Sequence, residues 1–214
     1  MVMLAAAAQI LLLVLLLRAC GTPRYPYVKL GASAAFLAAA VAAGAQNPSA
    51  LLRLLPALVL FFGGDAALGF YNRDRRRPLL LLGMALFLAG HLWLLGWLYS
   101  RQPAGLADML LTAALFCVLL GVLRLPGVRP GKLLPAILVY GAAVCAVGAK
   151  SVCTAAAAPG PAALVFCAGA LGLLASDLVI VFLYFSDFSG RGVHRANLIA
   201  YYLGMLLMAL SLQF

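Results

Sequence analysis

The sequence predicts an all-α protein, a polytopic membrane bundle of eight transmembrane helices that forms a single domain over residues 1–214. Three observations carry this reading. Of the 214 residues 66% are hydrophobic and only 9% charged, where a soluble domain is about a quarter charged; so little charge leaves no water-facing surface of ordinary size. The apolar residues lie in long uncharged runs, without the alternation of a barrel strand. The breaks between runs are turn-rich and mostly basic.

The elements follow in order. Residues 1–17 carry no charge, and the first span is placed at 2–18. A signal peptide would need a basic stretch before the apolar run, whereas Arg18 follows it, so the segment reads as a span. Residues 30–52 are also uncharged and give the second span, 28–45. The third (51–71) holds Asp65, and the fourth (78–100) only His91. The fifth (104–123) opens near Asp108, where a carboxylate suits the amino end of a helix. The sixth, seventh and eighth are placed at 133–150, 160–185 and 196–213, the seventh holding Asp177. Each run approaches the length of about 20 residues that a bilayer core requires. The breaks fall at 18–27, 46–49, 72–77, 101–105, 124–132, 150–161 and 186–195.

The breaks after the odd spans hold twelve Lys/Arg: Arg18, Arg24, Lys29, Arg73, Arg75, Arg76, Arg77, Arg124, Arg129, Lys132, Arg191 and Arg195. The breaks after the even spans hold three, Arg53, Arg101 and Lys150. Positive loops stay inside, so the odd loops are expected in the cytoplasm and both termini on the non-cytoplasmic side. The net charge of +10 then reflects topology and attraction to anionic membrane lipids, and no nucleic-acid partner is expected. Compact loops suit a bacterial inner (cell) membrane. The five cysteines show no paired metal spacing and read as small core residues; neither metal nor cofactor is expected.

All five acidic residues are aspartates. Asp74 and Asp187 belong to basic loops. Asp65 and Asp177 lie within spans, where a carboxylate costs several kcal/mol and so faces a cavity or a partner. At ~1.5 Å per residue they sit about 9 and 13 Å from the cytoplasmic ends of their helices. Tyr140 and Tyr201 come in from the same side to about 11 and 8 Å, and His91 reaches about 20 Å. Lys29 is expected to open the second helix at the rim. Asn72 follows Asp65 by seven residues and lies on the same face nearer the mouth. These side chains permit one polar chamber entered from the inner leaflet. Gly63, Gly64, Gly69, Gly172 and Ser176 read chiefly as sites of close helix approach, and Tyr71, Tyr99, Tyr184, Trp93 and Trp97 as packing or interfacial anchors.

Five stretches resemble a known family: Phe62-Gly63-Gly64-Asp65-Ala66-Ala67-Leu68, the run from Leu82 to Gly90-His91, residues 135–140, residues 168–177, and Ala200-Tyr201-Tyr202-Leu203. In order and spacing, from about Lys29 onward, they resemble the lysoplasmalogenase family of eight-helix membrane proteins (the YhhN-like proteins). The resemblance implies hydrolysis of the vinyl ether bond of a lysoplasmalogen, a lysophospholipid, to a fatty aldehyde and a glycerophospho-head group. It makes Asp65 and Asp177 the family's aspartates, and Lys29, His91, Tyr140 and Tyr201 its other polar positions. Three departures stand out: Lys29 is followed by Leu30 where proline is expected, Met205 stands where a polar side chain is frequent, and Gly90 precedes the histidine where Ala or Ser is common.

The chemistry needs a proton delivered to the β-carbon, an oxocarbenium ion stabilised, and water added to the α-carbon. A carboxylic acid in apolar surroundings and a second carboxylate divide that work as in glycosidases. Asp65 and Asp177 are therefore the expected catalytic pair, with Lys29 for the phosphate, His91 to orient a carboxylate or relay a proton, and Asn72, Tyr140 and Tyr201 for further hydrogen bonds. A zinc hydrolase would need more ligands than His91 and a loop His194 supply. An intramembrane aspartyl protease would carry Gly at position 62, where this chain has Phe. The rival is a non-enzymatic lipid-binding protein or proton-coupled transporter that keeps two buried aspartates.

Overall fold

The computed structural model describes all 214 residues as helices and short connections, with no strand. The helices are α1 (Val2–Ala19), α2 (Tyr25–Ala43), α3 (Pro48–Asp74), α4 (Arg77–Arg101), α5 (Leu106–Leu123), α6 (Leu134–Ala157), α7 (Pro161–Phe185) and α8 (Arg191–Leu210), with single 3-10 turns at Gly44–Gln46, Gly131–Leu133 and Ser211–Gln213. All eight are long and apolar enough to cross a membrane.

Six of them close a ring in the order α2, α3, α4, α6, α7, α8, with α8 returning to α2. The other two pack outside it, α1 against α2 and α8, α5 against α6 and α7. Burial follows this plan: only three residues of α1 and two of α5 are buried, against ten of α2 and eleven of α6. Mean apolarity does not set the ring apart. Its inward faces carry what lipid would reject, including Lys29, Ser33, Asp65, His91, Ser176 and Asn197.

Prolines decide where several helices begin. Pro26, Pro48, Pro78, Pro135 and Pro161 all lie in first turns, where the missing N–H would have no intrahelical partner anyway. So α2 starts at Tyr25 and α3 at Pro48, each a turn earlier than the expected 28 and 51. Three placements change as a result of such extensions. Lys29 lies in the second turn of α2 and is 6% exposed, not at an open rim. His194 belongs to the first turn of α8, not to a loop. Lys150 is a wholly buried residue inside α6, which runs on to Ala157. Its ammonium contacts Asp108 Oδ2 at 2.9 Å and donates to the Pro103 carbonyl at 2.9 Å. Asp108 also accepts from the Gly105 N–H at the start of α5 (2.8 Å), so it is both a helix cap and the counter-ion that lets α6 continue.

The helices α7 and α8 approach most closely where Gly169 and Gly172 face Gly204. A Cβ on Gly169 would lie 2.7 Å from the Gly204 carbonyl oxygen, and one on Gly204 2.8 Å from that of Gly169. Small residues spaced for backbone contact are the usual device of membrane helix pairs. Here they draw Asp177, two turns further along α7, toward the Tyr201–Tyr202 step of α8. At the same end, the α5–α6 and α7–α8 loops are tied by bonds from Arg129 N–H to the Phe185 carbonyl (2.6 Å) and from Asp187 N–H to the Gly127 carbonyl (3.2 Å).

Candidate active site

Lys29 and Ser33 stand four residues apart on α2 and share one face. Both reach Asp65 on α3. Lys29 Nζ lies 2.8 Å from Asp65 Oδ1, and the Ser33 hydroxyl donates to Asp65 Oδ2 at 2.7 Å. The Tyr202 hydroxyl lies 2.9 Å from Ser33 Oγ and 3.3 Å from the Lys29 carbonyl, while Gln9 of α1 donates to the Tyr202 carbonyl at 2.8 Å. Asp65 thus enters the interior with a cation on one oxygen and a hydroxyl donor on the other. A buried pair needs such extra bonds to offset its desolvation.

The second carboxylate has different company. Asp177 Oδ2 lies 3.6 Å from His91 Nε2. His91 Nδ1 is 2.8 Å from the Phe87 carbonyl oxygen, which can only accept, so that nitrogen carries the proton. In the neutral ring Nε2 is then a lone pair facing a carboxyl group. At 3.6 Å the two atoms are farther apart than a hydrogen bond, and Nε2 has no other partner. The His91 ring is held by Phe61 (centroids 5.0 Å apart) and Tyr140 (5.7 Å), and Tyr140 shares the wall of a cleft with Asp177. No Lys or Arg pairs with Asp177.

Both aspartates line one enclosed void with an empty volume of about 350 Å³, together with Lys29, Tyr201, Ser176 and Asn197. It joins two larger spaces through shared walls. Tyr25, Tyr184 and His194 also line a wide polar mouth of about 1530 Å³, bordered by Asn72, Arg73, Arg75 and Arg191. Leu68, Phe87, Asp177, Ile180 and Tyr184 also line an apolar cleft of about 640 Å³ between α4, α6 and α7, where 15 of 17 lining residues are hydrophobic. The result is a basic mouth, a polar centre and an apolar arm, with Asp177 at the junction of the last two. Three buried side-chain atoms of this region have no hydrogen-bond partner: Asp65 Oδ1, which faces the Lys29 ammonium, and two others, His91 Nε2 and the Tyr201 hydroxyl. Buried polar groups are nearly always bonded, so these two await a ligand or a shared proton.

A family model, YhhN family, matches residues 24–212, which takes in all the ring helices and every residue of the two carboxylate clusters. The chain belongs to the YhhN family. This is the family of lysoplasmalogenase-like proteins. No curated protein and no solved structure matches the chain.

Each residue singled out in this YhhN sequence has a definite place. Asp65, Lys29, Tyr201 and Asp177 line the void, Tyr140 lines the apolar cleft beside Asp177, and His91 lies behind Asp177, outside the lining of either space. Asn72 lies at the mouth, where it accepts from the Tyr184 hydroxyl at 3.1 Å. Lys29 is the one whose expected task changes: its charge is engaged by Asp65, so the cations free at the mouth are Arg75 and Arg191. Arg73 is bound to Asp74 at 2.6 Å. Tyr184, expected to anchor at the interface, lines all three spaces. Five site residues were given no site role by the sequence reading: Ser33, Tyr202, Asn197, which donates to Ser176 Oγ at 2.8 Å, and the Tyr25–His194 pair, 2.9 Å apart. Only Ser33 carried a usable signal, its four-residue spacing from Lys29. The side chains present form no group of three or more metal ligands.

Proposed function

We propose that this protein is a membrane-embedded hydrolase that cleaves the vinyl ether bond of lysoplasmalogens, releasing a fatty aldehyde and a glycerophospho-head group. The single observation that carries the reading is the order of a basic mouth, a polar centre lined by both aspartates and an apolar arm that Asp177 also lines. An amphiphile with one chain fits that order: phosphate toward Arg75 and Arg191, glycerol in the polar centre, hydrocarbon in the apolar arm. The bond between glycerol oxygen and chain then falls beside Asp177 and Asp65.

The unlike surroundings of the carboxylates divide their roles. Asp65, in contact with an ammonium and a hydroxyl donor, serves as the standing carboxylate. Asp177, with no cation and a lone pair of His91 before it, is the proton carrier. In the first step Asp177 gives its proton to the β-carbon, the double-bond electrons form the C–H bond, and positive charge develops over the α-carbon and ether oxygen. The negative charge of the site opposes that cation, an electrostatic effect strengthened where water is scarce. Water adds to the α-carbon and returns a proton to Asp177. The hemiacetal then loses its C–O bond to glycerol, which takes up the hydroxyl proton, and the aldehyde leaves through the apolar arm. Lys29 and Ser33 act as positioning residues on Asp65, and His91 and Tyr140 on Asp177.

The positive-inside pattern places the mouth on the cytoplasmic side and both termini outside, in keeping with a bacterial cell membrane and a substrate drawn from the inner leaflet. The test is turnover in Asp65→Asn and Asp177→Asn. Each is expected to abolish aldehyde release while the protein keeps its monodisperse size-exclusion profile. Full activity in either variant removes that residue from the chemistry. A transporter or lipid-binding reading is favoured by one observation, that a separate space opens at the other end of the ring. Saturable lipid binding or proton-coupled flux without any bond broken would establish that reading instead.

A further inference from the structure

At the end of the ring opposite the mouth lies a void with an empty volume of about 970 Å³. Its walls come from α3, α4, α6, α7 and the C-terminal 3-10 turn, so it sits inside the ring and not on the lipid-facing perimeter. Leu94, wholly buried one turn beyond His91 on α4, stands between it and the aspartates.

The polar side chains of this void include one cation and no carboxylate. Ser151 and Ser211 spend their hydroxyl hydrogens on the Val147 and Met208 carbonyls, at 2.7 Å each. Asn47 Oδ1 accepts from Ser49 and from the Ala50 N–H, which leaves the Asn47 amide group, the Arg101 guanidinium, the Trp97 indole N–H and the Thr154 hydroxyl. Trp97 Nε1 and Thr154 Oγ1 are both buried without any hydrogen-bond partner. An indole nitrogen can only donate, and leaving it buried and unbonded is unfavourable. Trp93, one turn earlier on the same helix, shows the ordinary arrangement: its indole donates to the Arg53 carbonyl at 2.8 Å. Arg101 lies over the Trp97 ring, 5.6 Å from its centroid, and forms no ion pair. No aspartate lines the void, and its other walls are mostly apolar, Leu98, Phe166 and Leu212 among them.

We propose that this void is a second binding site, separate from the aspartates, for the anionic head and adjoining chain of a single-chain amphiphile. Arg101 supplies the charge, Trp97 and Thr154 supply the two missing bonds, and the apolar walls take the first carbons of the tail. A carboxylate or a phosphate head satisfies the same three donors. The site is independent of whether the aspartates cleave a vinyl ether.

The sequence contains two tryptophans, so Trp93→Phe leaves Trp97 as the sole reporter. The full chain carrying that change, in phosphatidylcholine nanodiscs, is titrated with laurate, with dodecyl phosphate and with dodecyltrimethylammonium while Trp97 emission is followed. A saturable change is expected with at least one of the two anions and none with the cation; the stronger anion identifies the head group. Arg101→Gln is expected to raise the midpoint about tenfold, the worth of one charge-assisted hydrogen bond, and Arg101→Lys to raise it less. Arg101 is solvent-exposed, so its replacement leaves the fold intact. Absence of a saturable change with both anions, an equal response to the cation, or a midpoint indifferent to Arg101→Gln would each overturn the proposal.

Discussion

Replacing Lys29 by methionine tests the charge state on which the division of roles rests. In the wild type the ammonium is 2.8 Å from Asp65 Oδ1, and the two side chains are 7% and 1% exposed. Methionine has nearly the same length and volume, so the substitution leaves little cavity and removes mainly the charge. Asp65 then keeps one strong bond, from Ser33 at 2.7 Å, and loses its counter-ion while it remains buried. Breaking a buried pair from one side costs about 3–5 kcal/mol, whereas removing both charges is often close to neutral. Lys29→Met alone is therefore expected to destabilise the fold by about that amount, and Lys29→Met combined with Asp65→Asn to recover most of it. The assay is thermal or denaturant unfolding in one fixed detergent, with the single and double variants side by side. A single variant as stable as wild type, or a double variant no better than the single, would refute an ionised Asp65 held by Lys29.

Other consequences are open to similar checks. A Cβ at Gly90 would collide with the Phe61 ring, whose Cδ1 would lie 2.8 Å away, and Phe61 in turn packs on His91. Gly90→Ala should therefore lower turnover by displacing His91, and Phe61→Leu in the same chain should restore part of it; an unimpaired single variant would show that the ring does not hold the histidine. Lys150→Met should cost about 3–5 kcal/mol by leaving Asp108 buried and unpaired, with Asp108→Asn as the compensating change, and neither should alter KM because the pair is remote from the void; a large KM shift would contradict that separation. Ser33→Ala removes a hydrogen bond to a charged group and should cost about 1.5–3 kcal/mol in unfolding experiments. No loss there would mean that the hydroxyl is bonded elsewhere.

The helix count and the ring's polar lining were legible because charge inside a long apolar run is conspicuous, and Asp65, His91 and Asp177 are the few such residues in the chain. Asp65 and Asp177 line one void, and His91 stands beside Asp177. Helix ends were less legible. Pro26 and Pro48 looked like breaks but are first-turn residues, and that one turn converts Lys29 from a rim cation into the partner of Asp65. Lys150 looked like a loop residue because nothing local neutralises it; its counter-ion comes from α5, 42 positions away. Ser33 and Tyr202 were hidden for the opposite reason, since a serine among alanines and the second of two tyrosines carry no charge to announce them. Gly90 has a local reason: the Phe61 ring fills the space that a methyl group would need.

The most direct test of the paired-aspartate reading is substrate discrimination by the purified protein without added metal. A 1-alkenyl lysophospholipid and its saturated 1-alkyl counterpart differ only in the double bond that accepts the proton. Free aldehyde is expected from the first, nothing from the second, and the saturated lipid should act as a competitive inhibitor because it fills the same three spaces. Aldehyde release that persists when both aspartates are replaced by asparagine, or an alkyl lipid that does not compete, would contradict the account.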